Sequence, residues 1–325
     1  HKAHKTRLFS AGPLDYLVVC KMYFGGINAL MSMTRNENHV SVGTNPYSED
    51  WAQIVKVLLR KSNRVIAGDF EGFDASQHQR LLELAGEILI QLSMRFCGTT
   101  EEEAQVMRVL LVSCFNSWHI SGDEVYQWTH SLPSGHFLTA LINSIFVLLV
   151  FVVVWLLAFS QKSYVFARKF FEECGIVAYG DDHVVSVPNH RLKLFNQQTL
   201  VTLFRTIGLS YTMEDKDAVA TEPSRELSEI LYLKRGFVEE EDSGRWLAPL
   251  SLDVVLETPM WMHKTPDPKN QTIENLEWAL KELSLHKEDV WNQWAPVLHR
   301  ELEVLDCFSE LRVQHEVRDI VRTET

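Results

Sequence analysis

An initiator methionine is lacking: the 325-residue chain starts at His1, as expected of a processed product or an excised fragment. Cysteine is scarce, with Cys20, Cys97, Cys114, Cys174 and Cys307 widely spread and no C-x-x-C pair. An odd, scattered set suggests neither a disulfide framework nor a zinc site, and it fits a reducing compartment. Positive charge is in deficit too, with 31 Lys+Arg against 43 Asp+Glu and a net charge of −12. A protein that grips nucleic acid over its whole surface carries the opposite sign. Any nucleic acid must therefore sit in a local groove, held partly through metal ions. Acidic runs such as Glu101-Glu102-Glu103 and Glu239-Glu240-Glu241-Asp242 read as solvated faces or loops. Internal repeats, low-complexity tracts and a secretory signal are all missing. The length allows one large domain or two ordinary ones.

What the chain does have is a pair of short β-branched runs, Ile176 to Val187, around Tyr179-Gly180-Asp181-Asp182. The pattern predicts a tight hairpin with adjacent carboxylates at its tip. Two such charges repel by about 4 kcal/mol at ~4 Å and an effective dielectric of ~20. A hard divalent cation offsets this, and Mg²⁺ or Mn²⁺ suits oxygen donors. Alone, Asp-Asp is equally ordinary turn chemistry on a solvated hairpin. A second acidic segment, Val65 to Ser76, bears on the choice. It reads as a strand running into Asp69, a turn at Gly72, and a helix opened by a Ser76/Gln79 capping box. Asp74 fits a capping role, whereas Asp69 at the end of an apolar strand has no obvious structural task. Asp69 brought beside Asp181 and Asp182 would form a three-carboxylate cage. That is the donor set for two ions ~3.5–4 Å apart and an in-line phosphoryl displacement.

Elsewhere, residues 14–33, Trp51–Arg60 and Glu101–Phe115 read as helices, and 118–132 as a hairpin interrupted at Ser121-Gly122-Asp123. Ser134-Gly135 marks a loop before a helix on which Thr139 and Asn143, four apart, share a face. From Phe137 to Ser160 there is no charged residue, which reaches the ~20 residues of a membrane span. Polar Thr139, Asn143 and Ser144 in its first third argue instead for a buried core helix, with no stable membrane span. Leu192 to Ile207 reads as a helix ended by Gly208. Ile230 to Phe237 reads as a strand with Lys234 and Arg235 at its end, and Thr272–Leu285 and Glu288–Leu305 as helices. The order predicts an α+β sheet domain followed by a small helical domain.

In sequence order these segments resemble the motifs of the RNA-dependent RNA polymerases of picorna-like positive-strand RNA viruses. Asp69-x4-Asp74 is similar to motif A, Ser134-Gly135-x3-Thr139-x3-Asn143 to motif B, and Tyr179-Gly180-Asp181-Asp182 to motif C. Tyr211-Thr212-Met213-x2-Lys216 looks like motif D, Tyr232-Leu233-Lys234-Arg235 like the motif E primer grip, and Lys5-Thr6-Arg7 like the end of motif F. The resemblance runs from about Lys5 to about residue 305.

It implies a right-hand polymerase fold: an antiparallel palm sheet with helices on one face, partial fingers and a small helical thumb. The implied division is 1–60 partial fingers, 61–240 palm with a fingers insertion near 97–130, and 241–325 thumb. The implied activity is template-directed transfer of nucleotides from NTPs to an RNA 3′-OH in viral genome replication. Asp69, Asp181 and Asp182 would hold two Mg²⁺ or Mn²⁺ ions, with Lys216 as general acid. Arg7, Asp74, Ser134, Gly135, Thr139 and Asn143 would bind the nucleotide, and Asp74, Thr139 and Asn143 would sense its ribose hydroxyls. Lys234 and Arg235 would bind the primer. Implied partners are RNA template and primer, NTPs, a protein primer and other viral replication proteins, at membrane-associated complexes in the host cytoplasm.

The sequence departs from the family where the basic stretch before Lys5-Thr6-Arg7 and the template-entry finger motif are missing. It departs again at His136, Phe137 and Leu138, where many relatives carry smaller residues. A reverse transcriptase competes with this reading, but it usually puts an aromatic at the Asp74 position and lacks the Asn143 counterpart. A membrane-anchored replication scaffold held by residues 140–159 is the non-enzymatic alternative.

Overall fold

The computed structural model describes residues 9–129, 131–214, 222–240 and 243–324. Its contacts divide the chain into two units, 1–43 with 57–225 and 44–56 with 226–325. The chain starts with α1 (Leu14–Met33) and α2 (Glu49–Leu59). Then β1 (Val65–Glu71) runs into the four-residue α3 (Phe73–Ser76), followed by α4 (Gln79–Phe96) and α5 (Glu101–Phe115). A ribbon of β2 (Trp118–Ser121) and β3 (Glu124–Gln127) precedes α6 (Thr139–Ala158) and α7 (Tyr164–Glu173). The first unit closes with β4 (Gly175–Tyr179), β5 (Asp182–Ser186), α8 (Gln197–Thr206) and β6 (Ser210–Thr212). Its main sheet has the order β4-β5-β1-β6, antiparallel at each pairing.

Helix α6 occupies the core of this unit. It carries no charge, and Ile142, Phe146, Val150, Phe151, Val154 and Trp155 are buried against α4, α7, α8 and β4. A helix apolar on every side is surrounded by protein or lipid, and here 61% of its most apolar 18-residue window is buried inside the protein. Among the described residues, α1 and α6 are the two helices long and apolar enough to cross a membrane. Helix α5 starts where the sequence says it should, because Thr100 and Glu103 form a reciprocal capping box.

Three local expectations are corrected. Ser76 does not cap a helix: it ends α3, its hydroxyl donates to the Phe73 carbonyl, and α4 begins at Gln79 after an extended His78. The helix expected from Leu192 starts only at Gln197, because the Asn196 side chain accepts the Gln198 and Thr199 amides there. The strand expected over Ile230 to Phe237 is interrupted by a tight turn. Tyr232 and Arg235 exchange both backbone hydrogen bonds around Leu233 and Lys234, at φ +53° and +62°. That conformation belongs to a type I′ turn, normally Asn-Gly, so composition gives no sign of it.

The second unit begins with 44–56, which the expected division had placed with the fingers. Trp51 stacks on Phe237 with ring centroids 4.9 Å apart, which ties the segment to the C-terminal part. Beyond the small ribbon of β7 (Val238–Glu239) and β8 (Trp246–Leu247) come α9 (Leu252–Glu257), α10 (Pro268–Ser284), α11 (Glu288–Val304) and α12 (Gln314–Glu324). Leu280, Leu283, Trp291, Leu302 and Val317 form its core.

Candidate active site

The hairpin at 175–186 is built as its sequence predicts. β4 and β5 pair up to Tyr179 opposite Asp182, leaving Gly180 and Asp181 as the two-residue loop. Gly180 takes φ +63°, which suits the first central position of a tight hairpin turn and disfavours a side chain. On the other edge of β5, Gly68 of β1 stands opposite His183. The next residue along β1 is Asp69, so it comes level with Asp182, and it pairs across β1 with Thr212 of β6. Asp69 and Asp181 are half-buried and Asp182 is exposed.

Side chains to which the sequence assigned no role at this turn hold the arrangement. His183 is buried directly behind the tip, its Nδ1 2.8 Å from the Asp181 carbonyl and its Nε2 3.0 Å from the Tyr211 hydroxyl. A ring nitrogen facing a carbonyl must donate, which leaves Nε2 to accept from the tyrosine O–H. Burial pushes the His183 pKa down to about 4, outweighing the upward pull of the Asp181 carbonyl and the Asp69 charge. Burial likewise raises the Tyr211 pKa, so the phenol stays a donor. The tyrosine ring reaches over β1 because Gly68 has no side chain: a Cβ there would lie 2.3 Å from the Tyr211 ring and hydroxyl. From α6, the Ser144 hydroxyl accepts the Gly180 N–H at 2.8 Å and donates to the Ala140 carbonyl. A histidine after Asp-Asp and a serine in an apolar helix were the available signals, and both also fit unremarkable core positions.

The other expected residues fall into distinct settings. Asp74 sits in α3, where its Oδ2 accepts from the Ser134 hydroxyl at 2.8 Å. The Asp74 carbonyl accepts from Ser131 at 3.1 Å, so this helix and the Ser134-Gly135 loop are joined directly. The Ser134 carbonyl in turn accepts the Ser10 amide, and Gly135 takes φ +108°. Thr139 does not present its hydroxyl beside Asn143 for a shared ligand. It donates back into the loop, with the Pro133 and His136 carbonyls at 2.9 and 2.7 Å. Asn143 is 5% exposed, and its Oδ1 accepts from Gln77 Nε2 at 2.7 Å. Arg7 and Lys216, with Lys5, lie outside the described residues.

In the second unit Lys234 is exposed at the tip of its turn. Arg235 does not join it as a second primer-facing cation. Its guanidinium donates to both Glu282 carboxylate oxygens at 2.9 and 3.0 Å, to the Ala248 carbonyl and to the Tyr47 hydroxyl. The Tyr47 hydroxyl also donates to Glu282, which is fully buried. Arg235 therefore holds the turn.

As a metal site, three carboxylates supply the hard oxygen donors that a divalent cation of the Mg²⁺ type prefers, and Asp69 and Asp182 are level on neighbouring strands. The residues fit such an ion. Among the described residues, no three His, Cys, Asp or Glu side chains are already drawn together as a ligand set.

The sequence profile described as "Viral RNA-dependent RNA polymerase" matches residues 2–299. The chain belongs to that family. Among curated relatives, it is 36% identical over 304 residues to the replicase polyprotein of Acute bee paralysis virus (strain Rothamsted), covering 91% of this chain and 16% of that one. It is 35% identical over 295 residues to the replicase polyprotein of Cricket paralysis virus, covering 87% of this chain and 16% of that one. The chain thus spans about a sixth of the length of these relatives. Among solved structures, the Sicinivirus 3Dpol RNA dependent RNA polymerase superposes with a TM-score of 0.75 at 17% identity, over 99% of this chain and 64% of that one. The right-hand polymerase fold and the picorna-like affiliation expected from the motifs are therefore both present. RNA-dependent RNA polymerases generally use divalent metal ions.

Proposed function

We propose that this chain carries out template-directed RNA synthesis in viral genome replication. A primer 3′-oxygen attacks the α-phosphorus of an NTP, the new P–O bond replaces the bond to the β-phosphate oxygen, and pyrophosphate leaves. The observation that carries the reading is the register that brings Asp69 level with Asp182 beside the Gly180-Asp181 turn. Asp69, Asp181 and Asp182 would hold two Mg²⁺ or Mn²⁺ ions, which would lower the pKa of the 3′-OH and neutralise triphosphate charge. Asp74, steadied by Ser134, accepts from a ribose hydroxyl, and Asn143 addresses the same sugar. Lys216 gives a proton to the departing pyrophosphate, and Arg7 clamps the triphosphate. Lys234 contacts the primer strand, and Arg235 supports it from behind. Partners are RNA template and primer, a protein primer and other viral replication proteins, at membrane-associated complexes in the host cytoplasm.

The test is primer extension on an RNA template with Mg²⁺ and separate NTP and dNTP sets, comparing this chain with one extended at its N-terminus. Ribonucleotides should be incorporated, and Asp181→Ala should abolish incorporation while leaving the circular dichroism spectrum unchanged. Unchanged incorporation by Asp181→Ala would remove the metal assignment. Preferential use of dNTPs would turn the reading to a reverse transcriptase.

A further inference from the structure

Gln77 lies just after α3, three residues beyond Asp74, and is 1% exposed. Its Nε2 donates to Asn143 Oδ1 at 2.7 Å, a buried bond across 66 residues of chain. The other end of the same amide, Oε1, is buried and has no hydrogen-bond partner among the described residues. A buried acceptor in that position costs about 1–3 kcal/mol, so an apolar side chain would serve packing better. Glutamine here gives up stability, and what it gains is direction. A primary amide has donors at one end and an acceptor at the other, and either end can turn toward a neighbour. By donating to Oδ1, Gln77 fixes which end of Asn143 faces it and turns the Nδ2 donors the other way.

We propose that Gln77 is a positioning residue for sugar selection, orienting Asn143 so that Nδ2 donates to a ribose hydroxyl oxygen of the incoming NTP. This role rests on the polymerase reading of the site and on the place of Asn143 within it. A deoxynucleotide lacks the 2′-hydroxyl and leaves a fixed donor without its acceptor in a buried site, the situation that gives large discrimination. An Asn143 able to rotate would instead turn its other end to the sugar or recruit water, and the discrimination would shrink.

Primer extension with each NTP and its dNTP, with kcat and KM separated, tests this on Gln77→Leu, Gln77→Met, Gln77→Glu and Asn143→Ala. Gln77→Leu should lower the NTP-over-dNTP ratio of kcat/KM by about ten-fold or more, the loss falling mainly on the NTP terms. Combined with Asn143→Ala it should add no further loss, because the two side chains act as one unit. Gln77→Glu keeps size and a hydrogen bond but offers only an acceptor in its ionised form, which draws Nδ2 toward position 77. It too should lower the ratio, a readout that packing alone would leave unmoved. Thermal melting checks folding, and Gln77→Met carries the comparison if Gln77→Leu does not fold. If Asn143→Ala loses selectivity while the folded Gln77 variants keep the native ratio, the role of Gln77 is overturned and the site reading survives. If Asn143→Ala itself keeps the ratio, or neither the chain nor its N-terminally extended form incorporates nucleotides, the inference falls together with that reading.

Discussion

Gly68 has no room for a side chain, and the candidate site depends on that space. The Tyr211 ring and hydroxyl occupy the volume a Cβ would need, 2.3 Å away, with the Thr212 carbonyl at 2.6 Å. Tyr211 must stay there to reach His183, and His183 must stay to hold the Asp181 carbonyl. Gly68→Ala would push the ring off the strand or bend β1, and overpacking of this kind costs typically 1–3 kcal/mol. Urea unfolding should show that loss, and nucleotide incorporation should fall further than stability alone explains, because the shift is passed on to the aspartate turn. A midpoint equal to that of the unmodified chain would show that the ring can move aside without strain. The sequence offered Gly68 only as a glycine in a strand, so its reason became visible only with its neighbour across the sheet.

At the scale of elements, the Leu233–Lys234 turn shows how a strained piece of backbone is kept. Two non-glycine residues at positive φ cost about 1–3 kcal/mol each, and such strain persists only when the surroundings over-determine it. Arg235 is the means: its fork reaches Glu282 on α10 and Tyr47, and its backbone closes the turn onto Tyr232. Glu282→Ala would leave the guanidinium buried without its counter-charge, a change that costs about 3–5 kcal/mol. Thermal unfolding should register that loss, and Arg235→Lys should not restore the turn, since an ammonium cannot make the bidentate fork. Stability unchanged in Glu282→Ala would mean that the ion pair does not hold the turn. Helix α6 gives the complementary lesson. Its uniform apolarity fitted a membrane span as well as a core, and only the tertiary structure shows which of its residues are packed against neighbouring elements.

For the molecule as a whole, half-buried histidines set how stability responds to acid. Burial lowers the pKa of His39, His136 and His286, to about 4 for His136. With an unfolded value near 6.5, the unfolded chain takes up protons first as the pH falls. Stability is therefore intact above about 6.5 and declines as the pH drops toward 4. Glu87 and Glu173 have pKa values lowered, chiefly by hydrogen bonds from Arg108 and Arg191, so their contribution holds until below about 4.3. The decline between pH 6.5 and 4.5 accordingly belongs to the histidines. Urea midpoints measured from pH 7.5 to 4.5 should fall across that window, and less steeply in His136→Asn. A flat profile would contradict the neutral state of these half-buried rings.

The sequence by itself determined the motif order, the acidic hairpin, most helices and the α+β class, because these rest on local signals. Periodicity, capping residues and turn glycines act within a few residues, as at Thr100/Glu103 and Gly180. Tertiary structure alone decided which side chains position the site: His183, Tyr211, Ser144 and Gln77 each act through a partner at least 28 residues away or across a sheet. It also decided that Thr139 closes a loop and that Arg235 serves a carboxylate on α10. The physical reason is that a buried polar group must be satisfied by whatever group packing brings next to it, and packing partners are not written in neighbouring residues.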